Sequence, residues 1–385
     1  MEKLIKNVKF DKKIWDIEIK NGAIRCIVSA GSYRNNSIET FDAKGLLYLP
    51  TLSDMHCHLD KHFLGEEWKS LQPFTTLPNQ LKFEKNMMSS LKNSVKTRAA
   101  VLLEKMMMQG TTKLRTHVDI DPDIGLKHLE AILLLKEELQ DKIDIEIVAF
   151  PQQGLLRSSS IGIMKEAMRN GADLVGGVDP AGLDRRVEAS LNAMFELSTE
   201  FKAGMDLHLH EPGHLGQYTI ELLADYTQQA NKQGDVAVSH AYCLGMLDKQ
   251  ELQGTLAALK ENQISIISSV PIDRPMPPID YLLEEGVAIQ LGTDNIRDSW
   301  SPFGNGDMLQ RASRLAEKCG WITDENLRKA FSLITSKSIT PMIGEDADFM
   351  LVEAKSIEHA MASIPNREAV FSKGALISQE KFVSG

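Results

Sequence analysis

The sequence has no apolar stretch approaching the roughly 18 residues that a membrane-crossing helix requires. Its opening, MEKLIKNVKFDKKIWDIEIK, carries charges every few residues where an export signal would carry an apolar core. A cytoplasmic protein is therefore expected. Cysteine is scarce: Cys26, Cys57, Cys243 and Cys319 lie far apart with no C-x-x-C pair, which argues against both a disulfide framework and a thiolate zinc site. Positive charge is also short, with 43 Lys and Arg against 53 Asp and Glu for a net charge of −10. No broad basic face for nucleic acid or anionic lipid is expected from such a balance. Internal repeats, low-complexity segments, a Gly-rich dinucleotide turn after the first strand, and the H-x-E with P-C-x-x-C signature of nucleic-acid deaminases are likewise missing. What remains is a small-molecule partner, with no nucleic acid and no membrane, and a homo-oligomer as the expected assembly.

What is there is 385 residues, 43% of them hydrophobic, enough for one large core or two smaller ones. From residue 44 onward, short apolar runs alternate with longer amphipathic stretches, the mark of an α/β chain. Strands are expected at 46–58, 111–120, 144–152, 172–180, 204–212, 235–242, 264–271 and 287–295. Helical patterns such as LKNSVKTRAAVLLEKMMMQG, DIGLKHLEAILLLKEELQ, RRVEASLNAMFELSTEFKAG and QYTIELLADYTQQANKQG fall between them. Eight strands predict a closed (β/α)8 TIM-like barrel over 46–345, a doubly wound open sheet being the alternative. The ends alternate in shorter runs. Residues 1–45, with Asn21-Gly22 as a hairpin turn, and 346–385 are expected to pair into a small β-sandwich domain.

Strand side chains alternate faces, so His56 and His58 in DMHCHLDK point one way and Cys57 the other. Taken alone, His-x-His is weak, since strand histidines also serve as hydrogen bonders. The other strand ends add weight. His117 closes the second strand, Gln152 follows the third, His208, His210 and Glu211 close the fifth, His240 the sixth and Asp294 the eighth, so six of ten histidines collect where such barrels carry active sites. A hydrolytic zinc or ferrous site wants neutral imidazoles and a carboxylate, with room left for water. His56, His58, one fifth-strand histidine and Asp294 meet that need. Expelling an amine also requires a proton carrier, and Glu211 is the candidate.

HCHLDK, HLHE, SHAY and GTDNIRDSWSPFG together resemble the amidohydrolase superfamily over about residues 46–353. VAFPQQG and the SW placement are similar to its cytosine deaminase branch, which includes N-isopropylammelide amidohydrolase. The resemblance implies one divalent metal, Zn2+ or Fe2+, on His56, His58, His208 and Asp294. It implies that Asp294 accepts a proton from the attacking water, that Glu211 shuttles protons and that His240 polarises the water. Gln152 would bond the substrate's amide edge and Trp300 would line the ring pocket. Spacing alone leaves His208 and His210 open; the H-x-x-E register takes His208. The fourth strand has no lysine to bridge a second metal. Asn295 departs from the branch, where an acid commonly follows the metal aspartate; it is expected at the substrate, and cytosine itself is thereby in question.

The activity so implied is hydrolytic removal of ammonia or a small amine from a planar nitrogen heterocycle. The alternatives are a cyclic amide hydrolase of the hydantoinase type and a non-catalytic binding barrel. Several residues have plainer readings. His62 and His214 are expected in solvent or at the pocket rim, His128 and His359 at the surface, and His117 as hydrogen-bonding support. Met106 to Met108 read as helix packing. Asp60 and Lys61 either form a local ion pair or face the substrate.

Overall fold

The computed structural model describes residues 2–34 and 38–379. Met1, 35–37 and 380–385, which the sequence assigns to the small domain, lie outside the described residues. The eight expected barrel strands are present and run parallel in chain order: Leu52–Cys57, Thr111–Asp119, Asp144–Phe150, Leu174–Val178, Gly204–Leu209, Val236–His240, Ser265–Ser268 and Ile289–Leu291. They are counted below as strands one to eight. The ring closes between its ends, where Cys57 and Asp294 form a parallel bridge and the Asp294 amide donates to the His56 carbonyl at 2.7 Å. Helices pack outside, among them Val95–Met108, Lys127–Glu138, Val187–Phe201 and Gly213–Gln229, matching the four amphipathic patterns. Their apolar stripes meet the outward strand residues in one core in which Leu102, Met106, Leu191 and Leu223 are fully buried. Among the described residues no helix is long and apolar enough to cross a membrane.

The run expected as one strand over 46–58 is two. Leu47–Pro50 pairs antiparallel with Phe349–Val352 in a second sheet, and only after Thr51 does Leu52–Cys57 enter the barrel. Both chain ends build that second sheet, in which Glu2–Phe10 pairs with Lys13–Lys20 and parallel with Glu39–Asp42. Lys13–Lys20 and Ala23–Ser29 form the expected hairpin, with Asn21 and Gly22 at φ 52° and 84°, the left-handed pair that a two-residue turn demands. Arg367–Ser372 and Ala375–Gln379 extend the other edge. Ile5, Ile17, Tyr48, Phe349 and Phe371 form its own core. The side chain of Arg367 reaches back to Asp307, the N-cap of helix Met308–Cys319, and so ties this sheet to the barrel.

Strand alternation holds for Cys57, which is fully buried in the core shared with the helices. It fails next door. A register shift between Asp54 and Cys57 lets Met55 pack with Ala237 and Ile267 in a small cluster of its own while His56 still reaches the mouth.

Candidate active site

His56, His58, His117, His208 and His240 meet at the C-terminal mouth of the barrel, each no more than 6% exposed. The His56 ring lies 4.1, 4.5 and 4.7 Å from those of His117, His208 and His240. Asp294 faces them, its Oδ1 3.6 Å from His56 Nε2 and 3.5 Å from His58 Nε2. His240 and Asp294 take left-handed φ of 72° and 57°, a strained backbone that turns both side chains at the strand ends.

Hydrogen bonds fix which nitrogens are free. The Ser239 hydroxyl donates to Asp206 Oδ1 at 2.7 Å, a carboxylate that also accepts from Arg115. Its one proton is then spent, so at 2.7 Å Ser239 Oγ must accept from His56 Nδ1. His58 Nδ1 likewise donates to the His117 carbonyl at 3.1 Å. Each imidazole therefore leaves its Nε2 to face Asp294. Burial and the Lys61 charge lower the His58 pKa and keep that ring neutral. Burial alone would raise the Asp294 carboxyl, but the His240, His56 and His58 rings together hold it well below the usual range. The Nε2 atoms of both rings thus converge on the Asp294 carboxylate. His208 is also neutral, by burial and the neighbouring imidazoles, and neither of its nitrogens has a partner among the described residues.

This donor set fits a divalent cation. Separations of 3.5 and 3.6 Å compare with ~3.4 Å between ligands in a tetrahedral site with bonds near ~2.1 Å. The ligand atoms of His56, His58 and Asp294 all lie within 4.8 Å of one another, and so do those of His56, His117 and His208. Of the four expected ligands, His56, His58 and Asp294 fall in the first group, and His208 falls in the second, which shares His56. His117 lies among them: among the described residues its ring nitrogens too have no hydrogen-bond partner, so it gives no hydrogen-bonding support of the kind expected.

A cavity of about 230 Å³ opens over this cluster. Phe150 stacks on His208 with ring centroids 4.0 Å apart, and Leu81 and Trp300 complete a flat apolar wall. Gln152, Asn295 and Trp300 line the cavity, and so does Lys61. Lys61 bonds Gln152 Oε1, lies 5.0 Å from the Phe150 ring, and keeps its charge, because Glu84, Asp119 and Asp60 outweigh the effect of burial. Asp60 turns away, accepting from His128 and the Asp119 amide. The two adjacent residues thus divide: Asp60 braces the loop and Lys61 faces the cavity. Glu84, from helix Leu77–Ser89, was not singled out in the sequence. Buried at 3% exposure, it accepts from Gln152 Nε2 at 2.6 Å, Ser299 Oγ at 2.9 Å and Trp300 Nε1 at 2.5 Å. Asn295 donates its amide to Asp298 at 2.7 Å, which leaves its Oδ1 as an acceptor. The Asp298 carboxyl is pushed up to about 7 by burial.

Two further histidine expectations need correction. His62 is buried rather than solvated, its Nδ1 accepting the Leu64 amide, and burial takes its pKa down to about 3. His128 is drawn in from the surface by its 2.8 Å contact with Asp60. At the end of strand five, His210 lines the cavity and its Nδ1 donates to Asp179 at 2.8 Å. Glu211 does not line it. Its Oε1 accepts the Ala181 and Gly182 amides at 2.6 and 3.0 Å and its Oε2 the Thr219 hydroxyl at 2.7 Å, while burial raises its pKa. His214 is exposed beside Glu251, as expected.

A model of the amidohydrolase family matches residues 39–355. N-isopropylammelide isopropyl amidohydrolase from Pseudomonas sp. strain ADP is 31% identical over 99% of this chain and 98% of its own. The crystal structure of N-isopropylammelide isopropylaminohydrolase from Burkholderia multivorans superposes with a TM-score of 0.93 at 30% identity, covering 98% of both chains. The structure of 5-methylcytosine deaminase from Klebsiella pneumoniae gives 0.84 at 22% identity over 99% and 98%, a likeness of fold. The chain belongs to the amidohydrolase family, metal-dependent enzymes that hydrolyse carbon–nitrogen bonds.

Proposed function

We propose that this protein hydrolyses the bond between a ring carbon and an exocyclic nitrogen of a planar nitrogen heterocycle, a pyrimidine or triazine, releasing ammonia or a small amine. The observation that carries this reading is the cavity itself. One wall is the imidazole cluster with Asp294; the other is the slot of Phe150, Leu81 and Trp300. A flat ring stacks in such a slot, and Gln152 and the Asn295 Oδ1 can read its amide edge. The relatives that act on N-isopropylammelide support the same reading.

One divalent cation, Zn2+ or Fe2+, held by His56, His58, His208 and Asp294 would supply the Lewis acidity that makes water a nucleophile at neutral pH. The chain does the rest. Asp294 takes the proton of the attacking water at its carboxylate. Neutral His240, whose Nδ1 is 3.9 Å from Asp294 Oδ2, orients that water. The proton must then reach the leaving nitrogen. His210, backed by Asp179 and open to the cavity, is better placed to deliver it than Glu211, which is held by three donors. Lys61 and Glu84 clamp Gln152 for recognition. The test is a screen for released ammonia or amine across pyrimidines, purines, pterins and triazines with zinc- or iron-loaded protein. Amine release from at least one compound is expected. A ring-opened acid in place of an amine would make the enzyme a cyclic amide hydrolase, and binding without turnover would make it a binding barrel.

A further inference from the structure

A second cavity, of about 540 Å³, adjoins the first and shares Tyr242, Arg274, Asp294, Asn295 and Trp300 with it. It lies between the segments that follow strands seven and eight. Its chemistry differs from that of the ring slot. Arg274, Arg311 and Arg314 all line it, against Asp273 and an Asp294 already committed to the imidazole cluster. Arg274 forks onto Asp273 at 3.1 and 2.7 Å and lies 5.5 Å from the Tyr242 ring, between the two chambers. Arg311 is buried, its guanidinium is spent on the Ser269 and Thr293 carbonyls at 2.5 and 2.7 Å, and the Asp54 and Asp294 carboxylates offset part of its charge. One helical turn on, Arg314 is half-buried and has no carboxylate or hydrogen-bond partner among the described residues. Burial and the repulsion of Arg314 lower the Arg311 pKa to about 10, against the opposing pull of Asp54 and Asp294.

An arginine with no paired carboxylate, crowded against a second guanidinium in one chamber, favours the entry of an anion. We propose that this chamber binds a carboxylate carried on the exocyclic nitrogen of the substrate, so that the leaving group is an amino-acid-like amine. The inference rests on the proposed reaction. The reacting carbon must lie at Asp294, the ring fills the slot beside Phe150 and Gln152, and the substituent on the breaking bond crosses the shared boundary towards Arg274 and Arg314. The balance is that of hydrolysis. Water adds its oxygen to the ring carbon, the carbon–nitrogen bond breaks, and one water proton leaves with the amine. The other stays on the ring, which becomes a carbonyl beside a protonated nitrogen. No redox partner is needed.

The probes are N-isopropylammelide and its twin in which a carboxylate replaces one methyl of the isopropyl group. Titration calorimetry with zinc-loaded protein should show the carboxylated twin binding at least about tenfold more tightly, the scale of one charge-assisted hydrogen bond. The advantage should shrink with added salt. In Arg314→Met the affinity ratio within the variant should fall about tenfold, and Arg314→Lys should keep part of it. Equal affinities in the unmodified protein, or an unchanged ratio in Arg314→Met, would overturn the proposal. Amine release is scored in parallel. Amine from both twins at equal affinity would leave the deaminase reading standing without the anion chamber, whereas a carboxylate preference without any amine would leave the chamber standing without the deaminase.

Discussion

The proton that must reach the leaving nitrogen separates two adjacent residues. In sequence, Glu211 is the natural carrier because it is the acid of H-x-x-E; in the folded chain it is fastened to the Ala181 and Gly182 amides and Thr219, while His210 faces the cavity. Spacing could not reveal this, because the direction a residue takes just past a strand depends on the loop from the preceding strand. Asp179, which grips His210, lies in that loop. His210→Asn is expected to lower kcat for amine release by about 10²- to 10⁴-fold, with metal content unchanged by elemental analysis. Glu211→Gln should cost less, and the reverse order would return the role to Glu211. Glu84 was illegible for a related reason: no motif marks an acid within a helix inserted between strands, and its importance comes only from the three donors it gathers. Glu84→Ala leaves those donors unsatisfied at ~1–3 kcal/mol each. Steady-state kinetics should show KM for the heterocycle raised about tenfold or more, without loss of metal.

At the scale of elements, the apolar runs made all eight barrel strands readable, because each is buried on both faces and bounded by polar strand ends. The break at Thr51 was not readable. LLYLP and LSDMHC read as one strand, and only the pairing of Leu47–Pro50 with Phe349–Val352, about 300 residues on, divides it. The seam that closes the barrel depends on Gly292, where a Cβ would stand 2.5 Å from His56 Cβ and 2.6 Å from the His56 backbone nitrogen and oxygen. Backbone cannot yield as a flexible side chain can. Gly292→Ala should therefore destabilise the protein by about 1–3 kcal/mol in denaturant unfolding. It should also lower bound metal below one equivalent, since the clash falls on a proposed ligand.

For the whole molecule, the barrel gathers ligands that repel unless something binds them. Neutral, crowded imidazoles beside a carboxylate make metal binding to the folded chain a source of stability. Protein stripped by chelator should melt at a lower temperature and regain its melting point with one equivalent of zinc, since a free metal concentration a thousandfold above Kd is worth about 4 kcal/mol. We propose that the chain divides at Thr51, with Leu47–Pro50 counted in the smaller unit. That arrangement also orders events in time. Leu47–Pro50, which hands the chain directly to the strand of His56, is paired on one side by the last quarter of the sequence and on the other by the first ten residues. The strand that carries His56 and leads directly to His58, both proposed metal ligands, therefore has its anchor completed last. A chain cut before Phe349 should stay protease-sensitive around His56 and bind little metal, and a nascent chain on the ribosome should acquire its metal only after its C-terminal strands emerge, making maturation of the site a late, slow step of folding.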